Sequence, residues 1–170
     1  MKKIGIIFPG QGSQSTGMGK TLKDQSKFLY ANEMLGYPFS ENVFSGSPEW
    51  LQNTRNSQLA IFLHSISLFD SWKSASNLPL SSVAGLSLGE YSALYAAEAL
   101  SFEEGFQLVQ KRAELMEASC KEKEGSMMAV LGLDEHLVNS VVEEIDHLYV
   151  ANYNTPLLQV LSGSPDSLKK

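Results

Sequence analysis

Ser82-Val83-Ala84-Gly85-Leu86-Ser87-Leu88-Gly89-Glu90-Tyr91-Ser92-Ala93-Leu94 is the stretch that decides the reading of this chain. A β-like run precedes Gly85, helix formers follow Gly89, and the five residues between them spell G-x-S-x-G. In so tight a strand-to-helix turn, the residues two places on either side of the serine must lack colliding side chains. Ser87 would then sit on a strained nucleophile elbow, its hydroxyl projecting over the helix N-terminus. There the helix dipole and the free N–H of Leu88 can stabilise an oxyanion. Ser87 is therefore the candidate nucleophile; an ordinary Gly-Ser loop entering a helix is the other reading of the pentapeptide alone.

Upstream, Lys3 to Phe8 is a short β-branched apolar run closed by Pro9-Gly10, which predicts a buried strand and a turn. A Gly/Ser/Gln-rich loop from Gly10 to Gly19 leads into a helical stretch ending near Leu35. Gly17-Met18-Gly19-Lys20-Thr21 ends like a phosphate-binding loop, but that pattern needs glycine at position 14, where Gln14 stands. Gln11 has a different use, since its side-chain amide can donate to an oxyanion. An irregular segment is expected to about Asn53, a largely buried helix from Gln58 to Lys73, and a second buried strand from Leu80 to Leu86. A helix then runs from Leu88 to about Ala97.

Ser101 and Glu104 form a capping box ahead of a helix carrying Phe102, Phe106, Val109, Ala113 and Met116 at helical spacing. A charged hinge, Lys121-Glu122-Lys123-Glu124-Gly125, divides the chain into residues 1–122 and 123–170. Beyond it come a strand from Met127 to Leu133, a helix from Asp134 to about Ile145, and strands Leu148 to Ala151 and Leu158 to Leu161. A further helix begins at Ser164-Pro165-Asp166. The fold class is α/β: a hydrolase-like parallel-sheet core followed by an unfinished βαββαβ unit, an incomplete ferredoxin-like small domain.

Composition excludes several function classes. With 43% hydrophobic residues and a net charge of -6 over 170 residues, the chain has a real core and no disorder signature. It lacks the Lys/Arg-rich run that a phosphate backbone requires, so a nucleic-acid partner is not expected. The apolar run behind Lys2-Lys3 stops short of the roughly 7–15 residues of a signal core. No segment approaches the roughly 20 apolar residues of a membrane span. A single cysteine, Cys120, makes no internal disulfide, and no metal-ligand spacing of Cys or His is present. A cytoplasmic protein without a metal or bound cofactor is expected.

Two motifs together carry a family resemblance. Phe8-Pro9-Gly10-Gln11-Gly12-Ser13-Gln14 and Gly85-Leu86-Ser87-Leu88-Gly89-Glu90-Tyr91-Ser92-Ala93-Leu94 resemble the malonyl-CoA:acyl-carrier-protein transacylases and the acyltransferase domains of fatty acid and polyketide synthases. Arg112-Ala113-Glu114-Leu115-Met116 is similar to that family's Arg-centred helix. Asn152-Tyr153-Asn154-Thr155-Pro156 with Gln159-Val160-Leu161-Ser162-Gly163 resembles its later turn and strand. The resemblance covers essentially the whole chain and implies ping-pong acyl transfer, with malonyl-CoA as substrate and acyl carrier protein as partner. It implies that Gln11 and the N–H of Leu88 form the oxyanion hole and that Arg112 pairs with the malonate carboxylate. Gln58, in Ser57-Gln58-Leu59-Ala60, resembles a family Gln near the substrate, although Leu59 replaces the usual proline. Without the resemblance, Arg112 reads as a surface residue paired with Glu104 or a neighbour.

The chain departs from the family twice. Leu86 stands where histidine is usual, a pattern similar to that of acyl hydrolases that edit polyketide assembly lines, so transfer to water is an alternative outcome. The family's catalytic histidine also lies downstream of residue 170, and His64, His136 and His147 do not match it. These features lead to the expectation of an N-terminal portion of a longer enzyme, poorly active alone and exposing apolar surface. A catalytically silent chain that only binds a carrier protein is the reading outside enzymes.

Overall fold

The computed structural model describes residues 3–122 and 124–170. Met1 and Lys2, at the head of the signal-like stretch, and Lys123, in the predicted charged hinge, lie outside the described residues. The element order is β1 (Ile4–Phe8), α1 (Ser26–Leu35), α2 (Phe39–Ser45), α3 (Pro48–Gln52), α4 (Thr54–Ala75), β2 (Leu80–Gly85), α5 (Gly89–Ala96) and α6 (Phe102–Glu122). Then follow β3 (Ser126–Leu131), α7 (Glu135–Glu144), β4 (Leu148–Thr155), β5 (Leu158–Gly163) and a 3-10 turn at Ser167–Lys169. The chain forms two compact units, Met1–Glu117 and Ala118–Lys170.

In the first unit α4 supplies the core. Its start is set by Asn53, whose side chain accepts from the N–H groups of Arg55 and Asn56, so the helix begins four residues before Gln58. From Asn56 to Leu63 every residue is buried, and Ile66 and Phe69 continue the buried face. Phe28 of α1, Phe39 and Val43 of α2, Leu88, and Phe106 and Val109 of α6 pack with Leu59, Phe62 and Ile66 in one cluster. Truncating a fully buried phenylalanine such as Phe62 costs about 3–5 kcal/mol. Lys27 of α1 and Tyr95 of α5 both bind the Asp70 carboxylate of α4, at 2.6 Å and 2.9 Å.

The segment expected to be irregular before Asn53 contains two short helices instead. Pro48 is the first residue of α3, and the Ser47 hydroxyl caps it by accepting from the Trp50 N–H at 3.2 Å. The first helical stretch is shorter than expected, because turns run to Thr21 and irregular chain continues to Gln25.

Strands β1 and β2 are parallel, with Ile6 opposite Val83 and Phe8 opposite Gly85. Among the described residues they pair only with each other. Neither is the buried strand expected: Ile7 of β1 is 81% exposed, and no residue of β2 is buried.

In the second unit β3, β5 and β4 form an antiparallel sheet in that order. Val138, Leu148 and Leu161 make its small core, joined by Val130, Val142, Val150 and Leu168. Asp134 caps α7 by accepting from the His136 N–H. Strand β4 is longer than expected and carries Asn152 to Thr155, the residues read as a turn. The buried Gln159 side chain donates to the carbonyls of Thr155 and Pro156, which holds the end of the β4–β5 hairpin.

Candidate active site

The serine turn follows from the crowding around it. Leu86 N–H still donates to the Phe8 carbonyl at 3.3 Å, so the chain leaves β2 in register with β1. It then reverses within one residue: Ser87 has φ of 51°, a left-handed conformation that an L side chain adopts only under constraint. The Leu86 and Ser87 carbonyls accept from Gly89 and Glu90 at 2.9 and 3.2 Å, which starts α5. A Cβ on Gly85 would overlap the backbone of Gly89, and one on Gly89 would overlap the Phe8 carbonyl. Ser87 is exposed while Leu88 anchors the turn with a fully buried side chain. The Leu88 N–H, ahead of the first turn of α5, has no protein acceptor among the described residues.

The other predicted residues converge on this turn. A Cβ on Gly10 would lie 2.8 Å from the Leu86 carbonyl oxygen, so the loop carrying Gln11 runs against the serine turn. Arg112, half-buried on α6, donates through Nη2 to Ser87 Oγ at 2.7 Å and through Nη1 to Gln58 Oε1. Its guanidinium carbon lies 5.9 Å from the Tyr91 ring centroid. Gln58 is fully buried on α4, and its Nε2 reaches Gln11 Oε1 at 3.5 Å and Met116 Sδ at 3.3 Å. Ser87, Arg112, Gln58 and Gln11 thus form one polar chain. Glu104 is not the partner of Arg112; its carboxylate accepts from Ser101 N–H and Oγ in the capping box.

Tyr91 and Met116 belong to this arrangement and were not singled out as site residues. Met116 is four residues after Arg112 on α6, the spacing that puts side chains on one helical face, and that was the signal available. Ser87 precedes α5, so no helical spacing ties Tyr91 to it.

His64, the histidine of the first unit, does not hydrogen-bond Ser87 Oγ, whose side-chain partner is Arg112; His136 and His147 belong to the second unit. His64 lies on α4 in an open groove of about 450 Å³ lined also by Ile6, Ile7, Phe8 and Trp72. Burial holds its pKa below the usual histidine value, and its Nδ1 is buried without a partner. Among the described residues no cluster of three or more His, Cys, Asp or Glu is placed to hold a metal. No helix among them is long and apolar enough to cross a membrane.

A cation fixed on a serine hydroxyl, itself strained at a strand-to-helix turn, suits acyl transfer, and comparison with known proteins agrees. Residues 6–170 match the family model described as the acyl transferase domain, and the chain belongs to that family. It is 42% identical over 96% of its length to the malonyl CoA-acyl carrier protein transacylase of Bacillus subtilis (strain 168), of which it covers 54%. It is 41% identical over 98% of its length to the polyketide biosynthesis malonyl CoA-acyl carrier protein transacylase PksC of the same organism, covering 58% of that protein. Among solved structures, a malonyl-transacylase in complex with its type II polyketide acyl-carrier protein superposes with a TM-score of 0.89. The match to that structure has 31% identity and covers 99% of this chain and 57% of the other. The chain spans little more than half the length of these relatives.

Proposed function

We propose that this chain carries the acyl-accepting half of a malonyl transfer from coenzyme A to the phosphopantetheine thiol of acyl carrier protein, in fatty acid or polyketide synthesis. The observation that carries the proposal is the 2.7 Å contact from Arg112 Nη2 to Ser87 Oγ. A guanidinium held at the nucleophile meets an acyl group that brings its own carboxylate, and its planar fork is the best donor for that carboxylate. Serving an acetyl group would leave that cation without its anion. Ser87 Oγ attacks the thioester carbonyl, the new C–O bond replaces the C–S bond, and coenzyme A leaves as its thiol with the serine proton. The carrier thiol then attacks the acyl-serine, which regains its proton.

In this reading the turn at Ser87 is a nucleophile elbow, and Gln11 Nε2 with the Leu88 N–H forms the oxyanion hole. The free Leu88 amide and the position of the Gln11 loop support that assignment. The first 122 residues belong to a hydrolase-like core, and residues 123–170 to an incomplete ferredoxin-like unit, for which the β3-α7-β4-β5 order is the support. No resident cofactor is invoked, because the thioester is activated before it arrives, and a cytoplasmic setting fits both substrates.

Intact mass after incubation with malonyl-CoA tests the proposal. Since Arg112, not a histidine, is the side-chain partner of Ser87 Oγ, acylation is expected to be slow, by roughly 10²-fold or more relative to a complete base-assisted site, and a long incubation is needed. A malonyl adduct on the wild type that is missing from Ser87→Ala is the expected result. Arg112→Met should cut malonyl adduct formation at least about tenfold relative to acetyl. An adduct that survives Ser87→Ala would sink the assignment. Loss of the adduct to water as fast as to carrier protein would replace transfer by hydrolysis.

A further inference from the structure

Arg112 carries donors and no acceptor, so Gln58 can meet it only with Oε1. The Gln58 amide is planar, and its Nε2 is thereby turned to the opposite side, toward Gln11 and Met116. A donor arriving there requires Gln11 to present Oε1, which leaves the Gln11 NH2 group facing elsewhere. We infer that Gln58 is a positioning residue: it transmits the polarity of Arg112 to Gln11 and sets which end of the Gln11 amide faces the reacting centre. The inference rests on the reading of Gln11 as an oxyanion donor. Flipped, Gln11 would offer its carbonyl oxygen to a developing negative charge and repel it.

Burial is what gives Gln58 this control. It is 0% exposed, so no water competes for its amide, whereas Gln11 is exposed and Gln58 is the side-chain partner it has. A substrate-binding role, which the resemblance implies for Gln58, would instead need a free amide end facing the ligand. Both ends are taken.

Gln58→Glu separates the two roles, because a carboxylate still accepts from Arg112 but has no hydrogen to give Gln11. Gln11 would then turn its NH2 toward the new carboxylate. Acylation of Ser87 is followed by intact mass with acetyl-CoA, which has no carboxylate for Arg112 to bind. We expect Gln58→Glu to slow it by about 10²-fold, the usual cost of an oxyanion donor, and by less than about threefold when Gln11 is already Ala. An equal slowing in both backgrounds overturns the inference. Side-chain amide resonances in ¹H–¹⁵N spectra, assigned with Gln11→Ala, give a readout independent of turnover. The Gln11 NH2 pair should move in Gln58→Glu and in Arg112→Met; an unmoved pair in both overturns the inference. A wild type that forms no acyl-serine with malonyl-CoA counts against the function proposed above, and one unreactive toward acetyl-CoA alone does not; in either case the amide spectra decide this inference.

Discussion

Around Ser87 the glycines are present because there is no room; in the Gln11 loop a glycine is present because of a backbone angle. Gly85 and Gly89 press on neighbouring main chain: a Cβ on Gly85 would overlap the start of α5, and one on Gly89 the Phe8 carbonyl at the end of β1. Gly12 has φ of 106° and open space around it, with nothing within 4 Å of the Cβ it lacks. The first arrangement holds a strained serine by crowding it from both sides. The second leaves room beside Gly12, although Gly10 at the head of the same loop lies against the Leu86 carbonyl.

The largest effect that follows is at Gly89. Gly89→Ala drives a methyl into the Phe8 carbonyl, and either β1 or the serine turn must give way. The expected cost is about 4 kcal/mol or more, a large share of the about 5–15 kcal/mol stability of an ordinary domain, measured by urea denaturation. A variant that folds with normal stability would mean that the turn relaxes and that the φ of Ser87 is not enforced by packing. Gly12→Ala should cost only about 1 kcal/mol, from the unfavourable φ alone. A loss of several kcal/mol there would show the loop to be as tightly built as the serine turn, and the contrast would fail.

This contrast also separates what was legible in the sequence from what was not. The strand, turn and helix around Ser87 are local, and two glycines two residues from a serine report the crowding directly. The contact between Arg112 and Ser87 spans 25 residues. No periodicity encodes it, and Arg112 was placed at the site by resemblance alone. Gln58 was placed on a buried helix, but its partners Gln11 and Met116 come from distant segments that only folding brings together. Helices α2 and α3 fall in the segment expected to be irregular: Pro38 and Ser47 are their N-cap residues, and Pro48 is the first residue of α3. The openness of β1 was missed because an apolar run predicts burial only when something covers it. Among the described residues, β2 is the strand that pairs with β1.

His64 offers the smallest test, and it probes that open side. Burial is the cause of its lowered pKa, so the folded protein resists protonation where the unfolded chain accepts it. Above the usual value near 6.5 the imidazole is neutral in both states and pH has no leverage through it. As the pH falls through that value the unfolded state gains a proton that the folded state refuses, and stability declines until the folded pKa is passed. A protonated Nδ1 would also be a buried donor without an acceptor, which acts in the same direction. His64 is only half-buried, so solvent screening keeps the effect small. Melting temperature should therefore fall between pH 7 and pH 5 slightly more in the wild type than in His64→Gln. Identical slopes would mean that water reaches His64 freely, and that the groove along β1 is wetter than its apolar lining implies. A steeper wild-type slope would show that the groove wall is dry even with its outer side uncovered.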